Sequence, residues 1–126
     1  METIICSGPV IIENGKVLLN KEQKDYGQTP WFFPGGAVED TETDLAKVCE
    51  REVAEEMGIK IKIIKQLPTT THEYRNKKII LHHFLAERLG EIKPGKGIID
   101  WGWFPIDNLP EGCAPNVVEI IQSLRP

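Results

Sequence analysis

The chain has 126 residues, 40% of them hydrophobic, and a formal net charge of −4 at pH 7. This length fits one compact domain over residues 1–126, with enough apolar residues to bury a core and no room for a second domain. Proteins that coat nucleic acids carry a basic stripe, so a net acidic chain argues against a nucleic-acid polymer as partner.

Cysteine content and hydropathy indicate the compartment. Three cysteines without a CxxC pair predict reduced thiols and a cytoplasmic location. The apolar run at residues 4–12 is too short to span a bilayer, so we expect no membrane partner.

The first third of the chain has the pattern of strands and turns. Residues 3–12 are rich in β-branched side chains, and Asn14-Gly15 favours a tight hairpin turn. Pro34-Gly35-Gly36 predicts a turn where the backbone can closely approach a metal or a phosphate. We predict strands at residues 3–12, 16–19 and 31–33, with a polar loop at 21–30.

A helix is predicted next, with Thr43 or Asp44 as its N-cap. Apolar residues recur at three- and four-residue intervals and form a stripe that faces the core, namely Ala46, Cys49, Val53 and Met57. Gly58 supplies the C-terminal stop.

The remainder predicts more strands and a second helix, which makes the fold class α+β. The expected strands cover residues 60–65, 69–74, 79–87 and 100–104, with a turn at 75–78 and a loop at 89–97. Pro115 and Asn116 open the last helix. Its apolar side consists of Val117, Val118, Ile120, Ile121 and Leu124.

Three carboxylates of the first helix are the candidate functional residues. Glu52, Glu55 and Glu56 have i, i+3 and i+4 spacing, which places them on one helical face. Like charges so placed repel by a few tenths of a kcal/mol per pair, roughly, unless a cation lies among them. Hard oxygen ligands suit Mg²⁺ or Mn²⁺. The alternative is a solvated acidic face without a function.

The wider pattern resembles the Nudix box, G-x5-E-x7-R-E-U-x-E-E-x-G-U, where U is a bulky aliphatic residue. Here it begins at Gly36, passes Glu42 and ends in residues 51–59. Eight residues instead of seven separate Glu42 from Arg51, which makes Glu39 a rival for the first glutamate. The resemblance implies the Nudix fold, a mixed β-sheet sandwiched between helices (α/β/α), and hydrolysis of nucleoside diphosphates linked to another moiety.

The resemblance also implies a site for Mg²⁺, with Mn²⁺ as a substitute, whose ligands are Glu52, Glu55, Glu56 and the backbone carbonyl of Gly36. Arg51 would pair with a carboxylate and fix its orientation, and the alternative is an ordinary surface arginine. Glu52 is the first choice for the catalytic base. Asp100 is the rival base, or else an ordinary loop aspartate.

The substrate contacts follow from similarity to MutT-like nucleoside triphosphatases. In that subfamily an asparagine near the start of the last helix reads the base edge, and Asn116 occupies this place. Its amide both donates and accepts hydrogen bonds, although Asn116 equally suits the role of helix N-cap.

Four further residues are candidate substrate contacts. Trp31 and Tyr74 would stack on a base, Lys21 would contact phosphates, and His83 would contact phosphate or base. Because His82 and His83 are neighbours in a strand, only one of the two faces the cleft. The alternatives are ordinary packing for the aromatic residues and solvent exposure for Lys21 and His83.

Three functional hypotheses follow. The leading one is a Mg²⁺-dependent pyrophosphohydrolase that acts on a nucleoside triphosphate and releases the monophosphate and pyrophosphate. The second is hydrolysis of ADP-ribose, a nucleotide sugar or a dinucleoside polyphosphate. The third is a non-catalytic nucleotide sensor, which the retained glutamates disfavour. The small nucleotide is the expected partner, and both a monomer and a homodimer remain open.

Overall fold

The computed structural model describes residues 1–125. Within them the chain forms eight strands and two helices. The strands are β1 (Glu2–Glu13), β2 (Lys16–Lys24), β3 (Gly27–Gln28), β4 (Gly36–Ala37), β5 (Lys60–Gln66), β6 (Thr70–Tyr74), β7 (Lys77–Leu89) and β8 (Ile98–Pro105). The helices are α1 (Leu45–Met57) and α2 (Pro115–Leu124).

The sheet is mixed and centres on two long strands. β1 and β7 pair in parallel, from Glu2 opposite Lys77 to Ile11 opposite Ala86. The main strand order is β3-β2-β1-β7-β5, with β4 on β1, β6 on β7 and β8 on β2, and these other pairings are antiparallel. The predicted mixed sheet is confirmed.

The two helices cover opposite faces of this sheet. Side chains alternate along β1, so Val10 packs in a core with Val117 of α2. Its neighbour Ile11 packs in a second core with Val53 of α1. The sheet therefore lies between two apolar layers, which is the predicted α/β/α sandwich.

Helix α1 begins and ends where the sequence predicts. The Asp44 carboxylate is the N-cap and accepts hydrogen bonds from the amides of Ala46 at 3.0 Å and Lys47 at 3.3 Å. Gly58 ends the helix with φ +67°, a left-handed conformation that glycine adopts without steric cost. Capping at both ends fixes the register of the helix, and hence the direction of its glutamates.

The prediction for residues 21–30 was wrong. β2 continues to Lys24 because β8 supplies backbone partners from Lys16 to Glu22, and β3 then pairs with Gln23 and Lys24. Partner strands of this kind override polar composition. The predicted strand at 31–33 is reduced to isolated bridges, Trp31 with Cys113 and Phe32 with Asn20.

Helix α2 also differs in two details from its prediction. Its N-cap is Ala114, Pro115 occupies the first turn, and Asn116 is buried instead of capping. Val118, assigned to the apolar side, is 37% exposed. None of the helices within residues 1–125 has the length and apolar character needed to cross a membrane.

Candidate active site

A glycine turn lies directly against two glutamates of α1. The backbone N–H of Gly35 donates to Glu56 Oε1 at 2.7 Å, and a side chain on Gly36 would collide with the Glu52 carboxylate. On the other side, a side chain on Gly8 of β1 would collide with the Pro34 carbonyl. Glycine at these positions lets the backbone approach both the sheet and the carboxylates.

Arg51 connects several carboxylates of the box. It binds Glu42 through two bonds, Nε to Oε2 at 2.8 Å and Nη2 to Oε1 at 2.6 Å. Its Nη1 donates to Glu52 at 3.0 Å and to Glu55 at 3.3 Å. The rival Glu39 lies 3.8 Å away, beyond hydrogen-bond distance. The arginine therefore pairs with Glu42 despite the extra residue, and its hydrogen bonds lower the pKa of Glu42.

A buried carboxyl that the sequence reasoning missed belongs to this region. Glu22 of β2 has a side chain only 16% exposed and lies beside Glu56. Burial, and next the negative charge of Glu22, raise the pKa of Glu56 to about 9. Assigning residues 21–30 to a loop hid Glu22.

The helical glutamates differ in their surroundings. The Glu52 side chain is 14% exposed, and burial raises its pKa while the Arg51 charge opposes the rise. The Glu55 side chain is 60% exposed and contacts Arg51. Glu52 and Glu56 therefore face the glycine turn, whereas Glu55 does not.

The donor set fits a hard divalent cation. Carboxylate oxygens dominate it, and the negative charges of Glu22 and Glu52 raise the pKa of Glu56, so added positive charge would relieve repulsion. Within residues 1–125, however, no group of three or more His, Cys, Asp or Glu side chains meets around one point where it could hold a metal ion. The exposed Glu55 side chain has room to turn toward Glu52 and Glu56.

A second group of polar side chains, separate from Arg51 and the glutamates, lies on the face of the sheet that α2 covers. His83 is 2% exposed and Asn116 4% exposed. Nε2 of His83 lies 3.1 Å from Nδ2 of Asn116, and Nδ1 lies 3.0 Å from the Pro68 carbonyl. The Phe33 ring meets the imidazole edge-on at 5.6 Å between centroids. The N-cap alternative for Asn116 is wrong, since its amide is buried against His83.

The neighbouring histidine points elsewhere. Nδ1 of His82 lies 3.2 Å from the Thr69 hydroxyl. Strand alternation therefore places His83, and not His82, on the side of α2.

Trp31 and Lys21 contact each other. Trp31 is 9% exposed and packs at 4.7 Å between ring centroids against Phe104. The Lys21 ammonium lies 4.8 Å from the centre of the Trp31 ring, a cation–π distance. These contacts favour the packing alternative for Trp31.

The contacts described for Asp100 and Tyr74 are to residues outside both polar groups. Asp100 is exposed in β8, opposite Lys21, and its carboxylate accepts from the backbone N–H of Trp101 at 2.9 Å. Tyr74 is 42% exposed and meets Tyr26 edge-on at 6.1 Å between centroids.

The chain is similar to known proteins in both sequence and fold. Residues 7–124 match the model of the NUDIX domain family. An 8-oxo-dGTP diphosphatase of Buchnera aphidicola subsp. Schizaphis graminum is 34% identical over 102 residues, covering 79% of this chain and 75% of that protein. The NAD-capped RNA hydrolase NudC of Chromobacterium violaceum is 34% identical over 109 residues, covering 80% of this chain but only 38% of that protein. The crystal structure of a MutT NUDIX hydrolase from Burkholderia pseudomallei superposes with a TM-score of 0.88 at 23% identity, over 99% of this chain and 100% of that one.

The match to the family model and the 34% identity with a diphosphatase identify the chain as a hydrolase of phosphoric anhydride bonds. The chain belongs to the Nudix family, which confirms the expectation from the box.

Proposed function

We propose that this protein hydrolyses a purine nucleoside triphosphate to the monophosphate and pyrophosphate, with Mg²⁺ as its divalent ion. The observation that carries the proposal is that residues 33–36 join a buried amide–imidazole pair, Asn116 and His83, to the glutamates of α1. The amide–imidazole pair suits a base, and the glutamates with their divalent ion suit phosphates.

The segment from Phe33 to Gly36 links these two groups. Phe33 contacts His83, and Gly36 lies against Glu52. Three residue steps span at most about 10 Å. A single nucleotide bridges such a distance with its base at Asn116 and its phosphates at the glycine turn.

The ion would be held by carboxylate oxygens and one backbone oxygen. We assign as ligands Glu52, Glu55, Glu56 and the carbonyl of Gly36, with Glu22 as an additional acidic neighbour. When bound, the ion neutralises the phosphates and lowers the pKa of water. Mn²⁺ has the same preference for oxygen ligands and should substitute.

Glu52 is the proposed base. Burial raises its pKa, which makes its carboxylate a better proton acceptor at neutral pH. Arg51 donates to one Glu52 oxygen at 3.0 Å and so fixes the carboxylate while the other oxygen remains available. Asp100 is the weaker candidate because it is exposed and bonded to its own strand.

Among purines we favour 8-oxo-dGTP. Two of the relatives at 34% and 38% identity are 8-oxo-dGTP diphosphatases. The buried Asn116 amide supports a polar base edge, because an amide presents a donor and an acceptor side by side.

The decisive assay compares 8-oxo-dGTP, dGTP, dATP, dCTP, ADP-ribose and diadenosine tetraphosphate in Mg²⁺, with identification of the phosphate product. We expect 8-oxo-dGTP to have the highest kcat/KM, with pyrophosphate as product. Preference for ADP-ribose or diadenosine tetraphosphate would replace the proposal with the second hypothesis. Nucleotide binding without turnover of any compound would establish the sensor instead.

The metal assignment has its own test, independent of turnover. Mg²⁺ or Mn²⁺ should raise the Tm of the wild type by mass action and raise that of Glu56→Gln far less. Glu50→Gln is the matched control, since Glu50 is an exposed glutamate of the same helix. Equal shifts in all three proteins would remove the ion from the α1 glutamates.

A further inference from the structure

Several polar side chains lie between the paired strands β6 and β7 and helix α2. Nε2 of His72 lies 3.5 Å from Oε1 of Glu119 on α2. His83 of β7 contacts Asn116, three residues before Glu119 on the same helix. Thr70 faces the same way as His72, because strand residues two apart point to the same side. We call Thr70, His72, His83 and Asn116 the polar layer.

Two atoms of the polar layer are buried without a hydrogen-bond partner. They are the hydroxyl of Thr70, a residue 8% exposed, and Nε2 of His72, whose contact with Glu119 lacks hydrogen-bond geometry. Buried polar atoms are normally bonded, and leaving one unpaired is costly. Two atoms on the side that also carries Asn116 are therefore available to bond a polar ligand.

His83 determines how the Asn116 amide is presented. The Pro68 carbonyl only accepts hydrogen bonds, so Nδ1 of His83 must carry the hydrogen and Nε2 must accept. Nδ2 of Asn116 then donates to Nε2. Burial lowers the pKa of His83, which keeps the ring neutral. One N–H and the carbonyl oxygen of Asn116 remain for a ligand, in a fixed orientation.

We infer that the polar layer reads a purine base, with Thr70 and His72 in contact with the base and His83 as the positioning residue that fixes the Asn116 amide. This inference rests on the proposed function and deepens it. A purine carries polar atoms on both of its rings and therefore matches several separated partners better than a pyrimidine does.

The fixed amide also selects between purines. At positions 1 and 6 a 6-oxopurine presents a donor and then an acceptor, whereas a 6-aminopurine presents the reverse order. An amide held in one orientation matches one order, and an amide free to rotate matches both. With 8-oxo-dGTP as the favoured substrate, the matching order is that of the 6-oxopurine.

The first test measures binding of dGMP and dAMP by calorimetry, which does not require turnover. Thr70→Val removes the unpaired hydroxyl and keeps the β-branched shape. It should weaken dGMP binding about three- to tenfold, the worth of one hydrogen bond, without lowering Tm. Thr71→Val, on the exposed opposite side of β6, should bind like the wild type. Unchanged dGMP affinity in Thr70→Val would overturn the role of Thr70.

The second test concerns the positioning residue. His83→Phe should bring the ratio of dGMP to dAMP affinity close to one. His83→Gln should restore the ratio, because its amide can accept from Asn116 and donate to the Pro68 carbonyl. His82→Phe is the control on the opposite face. A ratio unchanged in His83→Phe, or lost equally in His83→Gln, would overturn positioning by His83.

These outcomes separate the inference from the proposed function. A protein that distinguishes dGMP from dAMP through His83 but hydrolyses no triphosphate refutes the proposed function alone. A protein that hydrolyses 8-oxo-dGTP while Thr70→Val and His83→Phe bind both monophosphates like the wild type refutes the inference alone.

Discussion

Around α1 the candidate functional side chains are charged and held by ion pairs, whereas in the polar layer they are neutral and His83 and Asn116 are held by hydrogen bonds between buried atoms. Arg51 contacts Glu42, Glu52 and Glu55, and each of these side chains keeps some access to solvent. His83 and Asn116 are nearly inaccessible and share one hydrogen bond.

The difference follows from what each region would bind. Phosphates and a divalent ion carry charge that must be matched, and charged side chains can rearrange to meet it only if solvent can reach them. A base is neutral, and discrimination between bases requires donors and acceptors in fixed positions away from water. Substitutions around α1 should therefore change turnover, and substitutions in the polar layer should change selectivity.

The largest effect is expected for a substitution of Glu52, which tests whether turnover and base selectivity depend on different regions. Glu52→Gln keeps the shape and removes the proton acceptor, so kcat should fall about a hundredfold to ten-thousandfold. Binding of dGMP over dAMP should keep its ratio. Steady-state kinetics of 8-oxo-dGTP hydrolysis and calorimetry measure the two quantities, with Glu50→Gln as control. A larger loss in Asp100→Asn than in Glu52→Gln would move the base to β8.

A smaller effect is expected from Arg51, for which the molecule contains a matched control. Arg88 forms the same two-bond pair with Glu13, at 2.9 and 2.8 Å, away from the box. Lysine cannot make the paired bonds of a guanidinium. Arg51→Lys should lower kcat/KM about ten- to a hundredfold because Glu52 loses its orientation.

Arg88→Lys should leave kcat/KM unchanged. Both pairs are partly exposed, so each variant should lose less than about 1 kcal/mol of unfolding free energy. Denaturant titration and kinetics on the same samples separate these effects. Equal kinetic losses in both variants would show that Arg51 acts only through stability.

Because His83 is buried, we expect the free energy of unfolding to depend on pH. Burial holds the pKa of His83 below its usual 6.5, so the unfolded chain binds a proton more readily than the folded chain. The contribution of neutral His83 to stability is therefore fully present above about pH 6.5. As the pH falls toward the lowered pKa of His83, the free energy of unfolding decreases by at most about 1.4 kcal/mol per pH unit for one proton.

His83→Gln removes this titratable group, so the free energy of unfolding of the variant should decline less steeply on acidification than that of the wild type. Denaturant titrations of both proteins at pH 7.5 and pH 5.5 measure the difference. Identical declines would mean that His83 becomes protonated without cost to the fold.

Sequence reasoning succeeded where the pattern was local and failed where a distant strand decided the outcome. Asp44, Gly58 and the α1 stripe follow from capping and helical periodicity, which neighbouring residues determine. Glu22 was missed because residues 21–30 alone do not indicate that β2 pairs with β8.

The contacts of the polar layer could not be predicted from local sequence either. Thr70 and His72 read as ordinary strand residues, and only packing against α2 shows that their polar atoms are buried and unpaired. His83 was a candidate, but its contact with Asn116 joins positions 33 residues apart. The candidate residues around α1 therefore follow from a motif, and Asn116 and His83 could be named from the sequence, but the contacts that join the polar layer require the three-dimensional structure.

The smallest effect concerns the helix that carries the charged site. Asp44→Ala removes the two hydrogen bonds to the amides of Ala46 and Lys47 and should cost about 1 kcal/mol of unfolding free energy. Thr43→Ala, at the exposed neighbouring position that the sequence also allowed as a cap, should cost much less. The turn of α1 that carries Glu52 and Glu56 lies beyond the first turn and is held by Val53 and Met57 in the core. Activity below the Tm should therefore stay close to the wild-type value in both variants. A drop in kcat for Asp44→Ala at full folding would show that the cap also sets the position of the glutamates, and the charged region would then depend on the ends of its helix as well as on the packing beneath it.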